Sequence, residues 1–191
     1  MLADPACRLL TLVGPGGMGK TRLAIALAHQ LRATFADGVV FVPLQAVVSA
    51  DWLIAAVAEA LDVPLAGQGE PLPQLGSYLA EKSLLLVLDN FEQLVAGAAV
   101  LSQLLPLAPQ VKCLVTSRER LNLGGEWIYP LNGLQTPAGP EMAAWETYDA
   151  VALFVERARQ VRWDFSLADE AEHVIEICRL AEGMPLALEL A

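Results

Sequence analysis

Gly14-Pro15-Gly16-Gly17-Met18-Gly19-Lys20-Thr21 decides how this chain reads. The stretch fits G-x-x-x-x-G-K-[ST], the pattern in which backbone N–H groups cradle a phosphate chain. Glycine permits that close approach and the unusual dihedrals it requires. The flanks agree. Leu9 to Val13 is an apolar run entering the loop as a strand, and Arg22 to Leu31 leaves it as a helix. A helix starting near Gly19 turns its N-terminal partial positive charge toward the anion. In such loops the lysine, here Lys20, bridges the β- and γ-phosphates, and the hydroxyl of Thr21 serves Mg²⁺. A glycine-rich turn with an exposed lysine is the plainer alternative. It leaves the Lys20-Thr21 pair at a helix start unaccounted for.

Downstream, Ser83-Leu84-Leu85-Leu86-Val87-Leu88-Asp89-Asn90 is an apolar strand closing on a carboxylate. In P-loop folds that acid holds Mg²⁺, usually through water. A strand-end solubiliser or helix cap is the alternative for Asp89. Val111 to Thr116 is a further strand, followed by Ser117-Arg118. Ligands of open α/β sheets bind at such strand ends, and a planar guanidinium suits a γ-phosphate. An ordinary surface arginine beside Glu119 fits the spacing of Arg118 equally well.

Gly38 to Leu44 and Glu126 to Tyr129 complete the strands. Between them the sequence predicts a helix capped by Ser49 and Asp51 and running to about Leu61. A Gly/Pro-rich loop from Asp62 to Pro73 and a short helix from Leu75 to Glu81 follow. A single helix is expected from Phe91 to Leu107, with Pro106 and Pro109 helping to end it. In the first helix Leu23, Ile25, Leu27 and Leu31 are expected to point inward, and His29 reads as a polar helix-end residue. Strands alternating with helices mean a parallel sheet with right-handed crossovers. The fold class is therefore α/β, a P-loop NTPase sheet flanked by helices.

After a Pro/Gly-containing linker from Leu131 to Gly139 the strand signal stops. Helical periodicity covers Ala150 to Arg162 and Leu167 to Ala181, the second closed by Gly183. Pro185 suits the first turn of another helix. Two domains are expected: a nucleotide-binding domain over 1–135 and the start of a small helical domain over 145–191. The last helix stops in its middle, so the chain reads as a fragment of something longer.

Of the 191 residues 55% are apolar and 18% charged, with a net charge of -10. That acidity argues against an electrostatic grip on DNA or RNA by this segment. Cys7, Cys113 and Cys178 have no C-x-x-C spacing and read as small buried residues. Together with the P-loop they fit a reducing cytoplasm. No apolar run reaches membrane-spanning length, so no membrane partner is expected.

Several segments fall in one order: LTLVGPGGMGKTRLA (10–24), LLLVLDNFEQL (84–94), CLVTSRERL (113–121), GEWIYPLNGL (125–134), AVALFVERAR (150–159) and ICRLAEGMPLALELA (177–191). In this order the chain resembles the STAND class of P-loop ATPases, with an NB-ARC-like nucleotide-binding domain, and most closely bacterial regulators of the AfsR/LuxR-associated type. The resemblance implies that Gly14, Pro15, Gly16, Gly17, Met18, Gly19, Lys20, Thr21 and Arg22 form the nucleotide loop. It further implies that Thr21 and Asp89 hold Mg²⁺, that Arg118 reads the γ-phosphate, and that Pro185 packs near adenine. It implies ATP and ADP as ligands, further domains in the parent protein, and a nucleotide-dependent homo-oligomer. In such proteins closure over ADP holds an inactive state, and exchange for ATP opens it.

Three departures qualify this. Asn90 stands where many ATPases carry a second carboxylate, so slow hydrolysis is expected; Glu92 is the neighbour that could substitute as a base. The glycine-arginine segment that grips adenine in relatives has no room before the first strand, and no winged-helix region follows Ala191, so weaker nucleotide binding than in the parent is expected. A regulatory switch in signal transduction or transcription is the function implied. A turnover ATPase or phosphotransferase, and a scaffold that binds no nucleotide, are the competing readings.

Overall fold

The computed structural model describes residues 1–65, 69–138 and 145–191. Residues 66–68 of the expected loop and Gly139 of the expected linker lie outside the described residues. The chain forms two compact units, Met1–Gly14 with Lys20–Pro130, and Pro15–Gly19 with Leu131–Ala191.

The first unit is built on a five-stranded sheet of β1 (Leu9–Val13), β2 (Val39–Pro43), β3 (Leu85–Asp89), β4 (Lys112–Ser117) and β5 (Glu126–Pro130), in the order β2-β3-β4-β1-β5. Every pairing is parallel. The central strands are apolar on both faces because both faces are covered. On one side Leu10, Leu12, Leu85, Val87 and Leu114 pack with Ala24 of α1 (Lys20–Leu31). On the other, Leu9, Leu86, Leu88, Cys113 and Val115 pack with α2 (Leu53–Ala60), α3 (Pro71–Leu79) and α4 (Ala99–Leu107). Each fully buried leucine contributes about 1.5–3 kcal/mol. Because the strands are parallel, the ends of β1, β3 and β4 share one edge, which gathers Gly14, Asp89 and Ser117 from distant parts of the sequence.

The connections differ from expectation in three places. The helix expected over Leu75–Glu81 is α3, which begins at Pro71. Pro71 and Pro73 fall among the first amides, which have no intrahelical partner, so prolines there remove nothing. The helix expected from Phe91 to Leu107 is two 3₁₀ turns, Phe91–Gln93 and Val95–Gly97, followed by α4. Phe91, Leu94, Ala98, Leu101 and Leu104 are all buried; apolar residues three and four apart suit a 3₁₀ turn as well as an α-helix. Pro106 lies inside α4 rather than ending it. Arg8 closes that helix end instead, donating to the carbonyls of Leu105, Ala108 and Val111 at 3.0, 2.6 and 2.8 Å. Ile25 is 41% exposed, not inward. It borders a surface hollow with Ala28, His29, Arg32, Val39 and Phe41, the side of α1 beyond the face that holds Ala24.

In the second unit α5 (Asp149–Val161), α6 (Ala171–Leu180) and α7 (Pro185–Leu190) share a core of Val151, Phe154, Val155, Val174, Cys178 and Leu188. α6 starts four residues later than expected. It ends with Glu182 donating to Arg179 O and Gly183 to Cys178 O, at 2.9 and 3.1 Å, the paired bonds of a Schellman cap. The left-handed C′ position falls on Glu182, with φ of 50°, and Gly183 follows it at 65°. Gly183 also lets the chain approach Leu134, whose N–H donates to Gly183 O at 2.7 Å. Among the described residues no helix is long and apolar enough to cross a membrane.

The three thiols are buried and unpaired. Burial pushes Cys113 up to about 12 and Cys178 up to about 11, so both are unreactive packing residues, as their isolation in the sequence indicated.

Candidate functional site

The site is assembled at the carboxyl ends of β1, β4 and β3. Gly14 extends the ladder past β1, its N–H donating to Ser117 O at 3.3 Å. Lys20 opens α1 and folds back, its Nζ donating to Gly14 O at 2.8 Å. It is 8% exposed. Burial lowers the Lys20 pKa below the ordinary lysine value; Glu92 opposes that shift, Arg118 adds to it and Asp89 opposes it.

Asp89 closes β3 and is held from two sides. The Thr21 hydroxyl donates to its carboxylate, 2.8 Å from Oδ1 and 3.1 Å from Oδ2. The Thr116 hydroxyl, from β4, donates to Oδ1 at 2.6 Å. The structure thus brings Lys20, Thr21 and Asp89 together, as the sequence predicts. A hydroxyl and a carboxylate side by side are hard oxygen donors of the kind Mg²⁺ takes. Among the described residues no cluster of three or more His, Cys, Asp or Glu could hold a metal ion.

Asn90 follows in the left-handed region, φ 63° and ψ 54°, and its N–H donates to Thr116 Oγ1 at 2.9 Å. The turn this makes carries Glu92 back toward β4. Arg118 Nε lies 3.2 Å from Glu92 Oε1. The arginine side chain is 66% exposed and the glutamate 22%. The other glutamate oxygen, Oε2, is buried with no hydrogen-bond partner among the described residues.

The rest of the loop, Pro15–Gly19, packs within the helical unit. Gly17 and Gly19 have φ of 81° and 82°, a region closed to most side chains. A Cβ on Gly17 would also lie 2.9 Å from Leu186 Cβ, whereas one on Gly19 would meet nothing within 4 Å. Leu186 N–H, near the start of α7 where amides lack helical partners, donates to Gly17 O at 3.2 Å. Pro185 stands at the first position of α7, and Met18 is half-buried while Pro15, Gly16 and Arg22 are exposed.

Thr116 and the Leu186 amide carry no assigned role in the sequence reading. Thr116 had a signal. Leu88 pairs with Val115, so the residue after each, Asp89 and Thr116, are cross-strand neighbours. A hydroxyl at the end of an apolar strand beside an acid-terminated one marks a partner for the acid. The Leu186 bond had none, because it joins backbone to backbone.

Residues 4–118 match the AAA domain family. The chain is 39% identical over 186 residues to an uncharacterized protein of Mycobacterium tuberculosis, covering 96% of this chain and 45% of that protein. It is 38% identical over 188 residues to a protein of the same organism provisionally named as an HTH-type transcriptional regulator, covering 96% and 20%. It is 29% identical over 189 residues to the regulatory protein AfsR of Streptomyces coelicolor, covering 94% and 17%. The chain thus spans less than half the length of these relatives. Among solved structures, Cdc6p from Pyrobaculum aerophilum aligns at a TM-score of 0.59 with 16% identity, over 95% of this chain and 52% of that one. A STAND protein with a tetratricopeptide repeat sensor from Pyrococcus horikoshii aligns at 0.56 with 18% identity, over 96% and 27%. Both likenesses concern the fold.

Proposed function

The chain belongs to the AAA domain family of P-loop proteins, and on that premise we propose that it is the ATP/ADP-binding switch module of a longer regulatory protein, with slow ATP hydrolysis. Lys20 and the loop from Gly14 to Gly19 hold the phosphates. Thr21 and Asp89 hold Mg²⁺, which when bound offsets charge on the phosphate oxygens. Arg118 reads the γ-phosphate, and Glu92 orients the attacking water and takes its proton. Pro185 lies against the adenine. Exchange of ADP for ATP alters exposure of the helical unit and drives self-association of the parent protein. Regulatory output comes from domains outside this segment, a reading supported by the much greater length of the AfsR-like relatives.

The single observation that carries the switch reading is the Arg118–Glu92 pair. The arginine at the strand end occupies Glu92, the carboxylate that acts more strongly than Asp89 on the buried lysine. A ligand with a γ-phosphate competes for that arginine, and a ligand without one does not. Such a differential interaction is what a nucleotide switch requires. The test is to purify the chain without added nucleotide, denature it and identify what is released. Stoichiometric ADP is the expected result. Undetectable binding of ATP and ADP at millimolar concentration, with Mg²⁺ present and the protein folded, would leave only a scaffold. Lys20→Ala should abolish binding.

A turnover ATPase is the second reading, favoured by Oε2 of Glu92, a buried acceptor with no hydrogen-bond partner among the described residues. Steady-state turnover of about 1–100 s⁻¹, the range of kinases, would select it over the slow switch.

A further inference from the structure

We propose that Thr116 is a positioning residue that fixes which oxygen of Asp89 faces Mg²⁺, by bridging the Asp89 carboxylate and the Asn90 backbone N–H. The proposal rests on the Mg²⁺-nucleotide reading above and deepens it.

Thr116 is fully buried. Its Oγ1 lies 2.9 Å from Asn90 N and 2.6 Å from Asp89 Oδ1. A backbone N–H only donates, so the hydroxyl must accept there. A hydroxyl has one proton, and the remaining short contact is to a carboxylate oxygen that only accepts. The proton of Thr116 therefore lies toward Oδ1, with its direction set by the neighbours on both sides. Thr21 also donates to this carboxylate, but its position is different. Thr21 is the loop hydroxyl that would hold the metal through its oxygen, and its proton would then turn away from Asp89. Thr116 is held by Asn90 and has no such alternative. It keeps Oδ1 engaged and leaves Oδ2 for the metal or its water. The same bond pins the left-handed turn at Asn90 from which the chain runs to Glu92, and Thr116 itself precedes Ser117-Arg118. One hydroxyl thus sets the metal carboxylate and the start of both segments that carry the Glu92–Arg118 pair.

The test uses the whole chain and a fluorescent ADP, with dissociation constants measured in excess Mg²⁺ and in EDTA. Thr116→Val keeps the shape and removes the hydroxyl. It should weaken binding about tenfold or more in Mg²⁺, the size expected for a hydrogen bond to a charged group, and leave the EDTA value unchanged. Thr116→Ser should restore wild-type Mg²⁺ dependence. In an Asp89→Asn background Thr116→Val should add nothing further. Should the valine variant not fold, Thr116→Cys, with a weak donor of similar volume, carries the same comparison. Equal weakening with and without Mg²⁺, or none in either, overturns the positioning role while leaving nucleotide binding intact. Wild-type protein that binds ADP with no Mg²⁺ dependence overturns it as well. A wild-type chain that binds no nucleotide fails the functional reading itself, a distinct outcome that takes the positioning role down with it.

Discussion

Asp89 and Glu92 stand at the two ends of one short turn and are held in opposite ways. Asp89 is 6% exposed and accepts from two threonine hydroxyls. Glu92 has one oxygen beside an exposed arginine and the other buried with no hydrogen-bond partner among the described residues. A carboxylate held by two neutral hydroxyls is fixed in place and ready for a cation. A carboxylate with an unsatisfied buried oxygen is costly at rest, by about 1–3 kcal/mol or more. Such a group calls for an explanation, whether strain, a catalytic role, or a water or ion that satisfies it. The difference divides the turn: Asp89 is held by protein hydroxyls, and Glu92 keeps a buried oxygen that no described residue satisfies.

The strongest way to break this division is Glu92→Gln. If Glu92 acts on water, single-turnover hydrolysis of ATP should fall by about 10²–10⁴, the usual contribution of a general base, with ADP affinity unchanged. Loss of ADP affinity in step with turnover would make Glu92 a binding or folding residue instead. Next comes Arg118→Ala. It should cost ATP affinity about 10–100-fold, as for one charge-assisted hydrogen bond, and leave ADP affinity alone. Competition of ATP against bound fluorescent ADP reads this directly. Equal loss for the two nucleotides would mean that Arg118 does not read the γ-phosphate.

The same division governs what could be read from the sequence. The held region was legible, because it consists of strand ends. Five apolar runs with loop punctuation placed β1 to β5, and the pattern from Gly14 to Thr21 with Asp89 marked the loop, the lysine and the acid. The poised region was not legible in detail. Phe91, Leu94 and Ala98 repeat at a spacing that α- and 3₁₀-geometry share, so one helix was expected where two 3₁₀ turns stand. Only the left-handed Asn90 shows where the chain bends, and asparagine is common in many other settings. The Arg118–Glu92 contact joins residues 26 apart through that bend. Arg8, far from the site, is a similar case: its three carbonyl partners lie about a hundred residues away, beyond the reach of any local pattern.

Asn90 gives a smaller effect that sharpens the comparison. The left-handed conformation costs an ordinary L-residue roughly 1–2 kcal/mol, and asparagine and glycine tolerate it best. Asn90→Ala should therefore lower stability by about 1 kcal/mol, or about 2–4 °C in Tm for a chain of this size. Asn90→Gly should leave Tm close to wild type. If both lower Tm equally, the asparagine side chain matters and the backbone is not what the position selects.

The smallest effect concerns how the two carboxylates act on Lys20. Burial lowers the pKa of this lysine, and of its two acidic neighbours Glu92 resists the shift more than Asp89. The sign follows from proton counting. With a folded pKa below the unfolded value, the unfolded chain binds more protons in the interval between them, so stability rises with pH there. The charged lysine thus destabilises the nucleotide-free fold at neutral pH, and the penalty fades as pH climbs toward the free lysine value of 10.5. Urea unfolding across the alkaline range should show this rising component, and Lys20→Met should remove it. Glu92→Gln should begin the rise at lower pH, because it takes away the larger opposing charge, and Asp89→Asn should move it less. The reverse order would mean that the well-held carboxylate, not the poised one, is the counter-charge of the lysine, and that the two ends of the turn had been assigned the wrong way round.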